Sequence, residues 1–135
     1  MKKPILIAIA TILVAALVCP TAWSQATGEV YLGGFLLLRV RCAAGGYTID
    51  ERVNALQLRA NNLLELGKKI SDFTVRKSGK DANIYADNEL FMTVTPADGA
   101  ANGTTAEKQA RTWTQRLRTL YPDAKTRRPG MSGPD

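Results

Sequence analysis

Two segments of this chain encode helices with one apolar face each, and such a helix needs a second layer to cover its stripe. Thr48 and Glu51 have the spacing of a capping box, in which threonine oxygen and glutamate carboxylate satisfy backbone donors at a helix start. Ile49, Val53, Leu56, Ala60 and Leu63 then recur at helical intervals, which predicts a helix over 49–66, with Leu58, Leu64 and Leu66 broadening its stripe. Gly67 is placed to end it in a left-handed conformation. Thr104 and Glu107 repeat the signature before a second helix whose stripe is Ala106, Ala110, Trp113, Leu117 and Leu120, and Tyr121-Pro122 is expected to end it.

Strand patterns surround the first helix. Val30 and Leu32 alternate up to Gly33-Gly34, and Leu36, Leu38 and Val40 alternate away from it, which reads as a β-hairpin. A two-residue turn would place the two sets on opposite faces, whereas a three-residue loop places all five on one face. The three-residue loop is the expectation, and it turns Tyr31, Leu37, Arg39 and Arg41 to the other side. Three short strands are expected at 70–77, 82–86 and 90–95, separated by turn residues, with Phe73, Val75, Leu90, Met92 and Val94 inward and Arg76, Phe91 and Tyr85 outward. Pro96 to Gly103 reads as a loop of small residues.

The order ββαβββα with two single-stripe helices predicts an α+β two-layer sandwich, both helices lying on one face of an antiparallel sheet of about five strands.

Ahead of this unit stand Lys2 and Lys3, an apolar run from Ile5 to Val18, and the small residues of Ser24-Gln25-Ala26, the three-part pattern of a cleavable export signal. The run falls short of the roughly 20 residues of a membrane span. Cleavage is expected after Ala26, giving a periplasmic or secreted protein; an uncleaved anchor is the alternative. Lipidation at Cys19 is disfavoured, because Val18 stands where a small residue is preferred. The expected division is a signal at 1–26, one domain at 27–122 and a disordered tail at 123–135, rich in proline, glycine and charge. Loss of Lys2 and Lys3 leaves 16 basic residues against 12 acidic ones, a net charge of +4. Cys42 then has no cysteine partner in the mature chain, so stability must come from packing, with Cys42 itself buried at a strand end.

The chain contains no histidine, which removes histidine-based triads, histidine general bases and the usual zinc sets. A carboxylate pair could still be sought among Asp50, Glu51, Asp72, Asp81, Asp87, Glu89 and Asp98, yet Glu51 serves as a cap and Asp81, Asp87, Glu89 and Asp98 sit in turns. The expectation is a non-enzymatic protein without metal or cofactor. Its alternative is a small-ligand-binding or hydrolytic protein acting on cell-wall or sugar fragments through Asp98 or Asp87.

The run Val30-x-Leu32-x-Gly34-x-Leu36-Leu37-Leu38-x-Val40, followed by Ala44-Gly45-Gly46, Glu51-Arg52 and Val94-Thr95-x-x-Asp98, resembles the periplasmic, pre-pore region of some bacterial small-conductance mechanosensitive channels, notably cyanobacterial ones. The resemblance spans roughly residues 28 to 121. No pore segment follows Leu120 in this chain, so what it implies is the extracytoplasmic module alone, with no catalytic residues to carry across.

The candidate surface is the sheet face that the helices leave open, where Tyr31, Leu37, Arg39, Arg41, Arg76 and Phe91 would combine aromatic area with arginine forks. Through it the module would contact a membrane or envelope protein or its own copy; export makes a nucleic-acid partner a poor expectation. Lys108, Arg111 and Arg118 form a second stripe that would make weak contact with anionic lipid.

Overall fold

The computed structural model describes residues 28–127, so the expected export signal and most of the expected tail lie outside the described residues. The element order is β1 (Gly28–Leu32), β2 (Phe35–Val40), α1 (Ile49–Glu65), a 3-10 turn (Ile70–Asp72), β3 (Phe73–Ser78), β4 (Asp81–Ala86), β5 (Glu89–Val94), α2 (Pro96–Ala101) and α3 (Ala106–Thr126). The α+β class is as expected. The strands, however, form two antiparallel sheets, β1-β2 and β3-β4-β5, in place of one sheet of about five. Part of the reason is chemical. The Gln57 side-chain amide donates to the Tyr31 carbonyl (2.8 Å) and accepts from the Tyr31 N–H (2.9 Å), so a side chain of α1 occupies the edge of β1 that a further strand would need. α3 packs against all five strands and joins the two sheets, while α1 lies along β1 and reaches β5.

Both outer hairpins use one device. Gly33-Gly34 is a two-residue turn, with Leu32 opposite Phe35 and both glycines at positive φ (58° and 86°), the conformation that matches strand twist and that other residues resist. One residue is then inserted: Tyr31 faces Leu36, Val30 faces Leu38, and Leu37 is extra. This β-bulge resets the alternation, so Leu38 and Val40 rejoin Val30 and Leu32 in the core, and Leu37 is buried with them. The turn Asp87-Asn88 repeats the pattern, since Tyr85 faces Leu90, Ile84 faces Met92, and Phe91 is extra and buried. The expected three-residue loop of the first hairpin is thus replaced by a two-residue turn plus a bulge, the same combination closes β4-β5, and Leu37 and Phe91 move from the outer face into the core.

The helix ends also depart from expectation. α1 leaves the helix at Leu66 in an extended conformation, without a left-handed Gly67. Its last carbonyls are instead met by the Tyr121 hydroxyl, which lies 3.1 Å from Leu63 O and 3.3 Å from Leu66 O and accepts from the Lys68 N–H at 3.0 Å. The Tyr121 ring meets Phe73 edge-on at 5.1 Å, so one residue of α3 ties α1 to the start of β3. α3 itself runs through Pro122 to Thr126. Ala124 in its last turns packs against Gly33, and Arg127 donates to Gly33 O (3.2 Å) and covers the Phe35 ring, contacts that hold the added turn in place.

The expected loop after Pro96 is α2, capped by Thr95 and Asp98 with proline at the first turn. Thr104 closes α2 by donating to Gly99 O (2.8 Å), so Thr105 caps α3 in its place. Gly99 sits where α2 and α3 cross, and an added Cβ would stand 2.4 Å from the Thr105 carbonyl carbon. Backbone cannot step aside as a side-chain tip can. Gly99→Ala is expected to cost about 1–3 kcal/mol in urea denaturation, with both helices still formed in circular dichroism. Among the described residues no helix is long and apolar enough to cross a membrane.

Candidate functional site

Arg52, in the first turns of α1, forms a two-pronged ion pair with Asp98 of α2, Nη1 to Oδ1 and Nη2 to Oδ2, both at 2.8 Å. The Arg52 Nη1 also donates to Cys42 O (2.7 Å), just past β2. Asp98 is 1 % exposed, and both its oxygens are engaged further: Oδ2 accepts from Thr95 N–H (2.9 Å) and Thr95 Oγ1 (3.0 Å), and Oδ1 from the Cys42 thiol (3.5 Å). Burial alone would lower the Arg52 pKa, but the hydrogen bonds and charge of Asp98 outweigh it and the net direction is upward. The cluster clamps the end of β2, the start of α1 and the end of β5 to one another. A carboxylate held this way is closed to a substrate, which removes Asp98 from the expected carboxylate site. Asp87 occupies a turn at φ 62° and faces Lys68 across 3.7 Å.

Beside this clamp α1 and β5 diverge and leave a groove of about 640 Å³. Asn54, Ala55 and Arg59 line its helical wall, and Leu90, Met92 and Thr93 its strand wall. One end is closed by the turn at 44–47, where Ala44 and Tyr47 exchange backbone hydrogen bonds around two glycines at positive φ. The lining is predominantly apolar, and two large side chains flank it in the open, Tyr47 at 62 % and Leu90 at 41 % exposure. Arg59 crosses the groove and donates to Phe91 O (2.9 Å), beyond which a smaller hollow of about 60 Å³ continues past Asn62, Leu66 and Glu89. Among the described residues no strand pairs with the outer edge of β5.

The residues singled out in the sequence are dispersed. Tyr31 and Arg39 both bind Glu29, Tyr31 through its hydroxyl and Arg39 through Nε at 3.1 Å. The Tyr31 hydroxyl and then Arg39 hold the Glu29 pKa below the usual carboxylate range, and Glu29 raises that of Tyr31. Arg41 is exposed beyond β2. Arg76 lies on the other sheet, its guanidinium 4.4 Å from the Tyr85 ring centre. Leu37 (0 % exposed) and Phe91 (3 %) are core residues, because each is the inserted residue of a bulge. The single open face of aromatic and arginine residues therefore does not form. Of the second stripe, Lys108 is exposed, and Arg111 pairs with Glu107 at 2.9 Å, which lowers the Glu107 pKa. Arg118 turns inward to donate to Phe73 O, and its Nε is buried, so it does not face an anionic surface.

The groove residues Tyr47, Arg59, Leu90 and Thr93 are not among those expectations. Tyr47 and Arg59 carry no periodic signal, and Leu90 is placed on the inner face until the bulge exchanges it with Phe91. Among the described residues no group of three or more histidine, cysteine, aspartate or glutamate side chains converges where a metal ion could sit.

The sequence model of a domain of unknown function (DUF8459) matches residues 29–122. The match runs from β1 into α3 and includes both the clamp and the groove. No curated protein and no solved structure matches the chain.

Proposed function

Since the chain belongs to the DUF8459 family, a domain of unknown function, we propose from its own geometry that it is a non-enzymatic binding module working outside the cytoplasm, and that it holds a membrane or envelope protein in the groove between α1 and β5. The observation that carries this reading is the groove itself: an apolar cavity flanked by exposed Tyr47 and Leu90 and bordered by a strand edge. Large exposed apolar groups at a concavity mark binding sites more often than ordinary surface. The export pattern at the N-terminus supports the compartment, and the resemblance to a channel's extracytoplasmic region supports a membrane-protein partner.

Polar chemistry argues against catalysis at this place. Arg52 is committed to Asp98 and Glu51 to the Thr48 N–H, and Arg59, a permanent cation, donates one nitrogen to Phe91 O, so none of the three stands ready as a general acid or base. The hairpin face is a weaker candidate, since Tyr31 and Arg39 are already satisfied by Glu29.

Affinity purification from native envelopes tests the proposal. Tyr47→Asp and Leu90→Asp are each expected to weaken association with the co-purifying envelope protein at least about tenfold, as loss of an interface anchor does. Arg41→Glu and Arg76→Glu should leave it within about twofold, as rim charges do. Equal loss from all four variants, or from the arginine variants alone, contradicts the assignment; circular dichroism establishes that each variant is folded.

A further inference from the structure

Resting on that reading of the groove, we infer that its ligand is an extended peptide segment of the partner, which adds a strand to the outer edge of β5 around Thr93 and places an acidic side chain against Arg59. The argument begins with the strand edges. An unpaired edge offers a row of backbone donors and acceptors that only another backbone matches in spacing. The described edges are not treated alike. β1 is closed by the Gln57 amide. At β2, Arg116 donates twice to Leu36 O (3.0 and 2.9 Å) and Arg127 reaches Gly33 O in the adjoining turn. At β3, Arg118 takes Phe73 O, and exposed Arg76 and Lys77 follow along the strand. β5 has the single contact from Arg59 to Phe91 O, at the bulge, and no charged residue from Leu90 to Val94.

The uncovered edge is also the one beside the cavity. Met92, Thr93 and Thr95 line the groove, with α1 as the opposite wall. A strand laid against Thr93 would therefore turn alternate side chains toward the space between β5 and α1, which suits apolar groups. The charge pattern specifies the ligand further. Glu51 and Glu89 stand toward the two ends of the groove and Arg59 between them, and Arg59 spends one nitrogen on Phe91 O while its guanidinium has five N–H donors in all. A carboxylate at the middle of the segment matches this pattern, and a lysine there does not.

Synthetic peptides of alternating valine and threonine with a central aspartate are the probe, titrated by fluorescence anisotropy onto the full-length protein. The aspartate peptide is expected to bind at least about tenfold more tightly than its lysine counterpart, the size of one charge-assisted contact. Arg59→Gln should erase that preference while weakening the lysine peptide little. N-methylation of peptide nitrogens, which deletes a backbone donor and leaves the side chains, should abolish binding at alternate positions only. Binding that tolerates every N-methyl group overturns strand addition and leaves the groove as a side-chain pocket. Failure of every peptide to bind below about 1 mM, a free energy near −4 kcal/mol, overturns the ligand class. A concentration-dependent dimer with exchange-protected β5 amides overturns it in favour of a second copy. Loss of the envelope association in Tyr47→Asp and Leu90→Asp is a separate readout, so the groove reading can survive the failure of the peptide.

Discussion

Asp98→Ala is expected to lower folding stability by about 3–5 kcal/mol, the effect of removing one partner from a buried ion pair. Arg52 would remain, nearly buried, with its charge answered only by the Cys42 carbonyl. Thr95 would lose the acceptor that fixes its N–H and hydroxyl, and α2 its capping box. For a domain of this size each kcal/mol moves the melting temperature by about 4–8 °C, so the variant should melt more than about 10 °C below the parent protein. Asp98→Asn keeps the shape and is expected to lose less. The pair Arg52→Met with Asp98→Leu removes both charges at once, and should recover a large part of the single variant's loss. Urea titration of the four proteins reads this directly. A loss below about 1 kcal/mol in Asp98→Ala would show the pair behaving as an exposed one.

Phe91→Ala is expected to cost about 3–5 kcal/mol, the range for deleting a buried aromatic side chain. Alternation along β5 places Phe91 outward, where the same substitution would change stability by about 0.5 kcal/mol at most. The bulge decides between the two. Leu37→Ala at the matching position of the first hairpin should cost about 2–5 kcal/mol, whereas Leu90→Ala on the groove wall should be nearly silent in stability. A silent Phe91→Ala together with a costly Leu90→Ala would restore the unbulged register.

The strands and the two long helices were legible because each has a local cause, whereas the short helix α2 reads as a loop. Helical spacing and the Thr48–Glu51 box located α1, and alternation with turn residues located all five strands to within a few residues. The bulges were not legible, since nothing in Leu36-Leu37-Leu38 or Leu90-Phe91-Met92 states which residue will be left unpaired. Tertiary fit chooses it, and the choice determines which side chains meet solvent. The clamp was not legible: a loop reading passes over the capping signature that Thr95-Pro96-Ala97-Asp98 carries, with proline at the first turn, and its pairing with Arg52, 46 residues away, follows only from the fold. The divided sheet depends on the side chain of Gln57, whose polar character on a helix surface gives no sign that it will stand in for a strand. Because the groove is bounded by a bulged strand and by the turn at 44–47, it inherits both of these uncertainties of register, and its residues escape a reading by period alone.

The claim that α1 and β5 hold a partner is tested most directly by photo-crosslinking in living cells, with a photoreactive residue placed in turn at Leu90, at Tyr47, at Arg41 and at Arg111. The groove account predicts adducts to one and the same envelope protein from positions 90 and 47, and none to it from 41 or 111. Adducts to that protein from Arg41 or Arg111, with positions 90 and 47 unreacted, would contradict it.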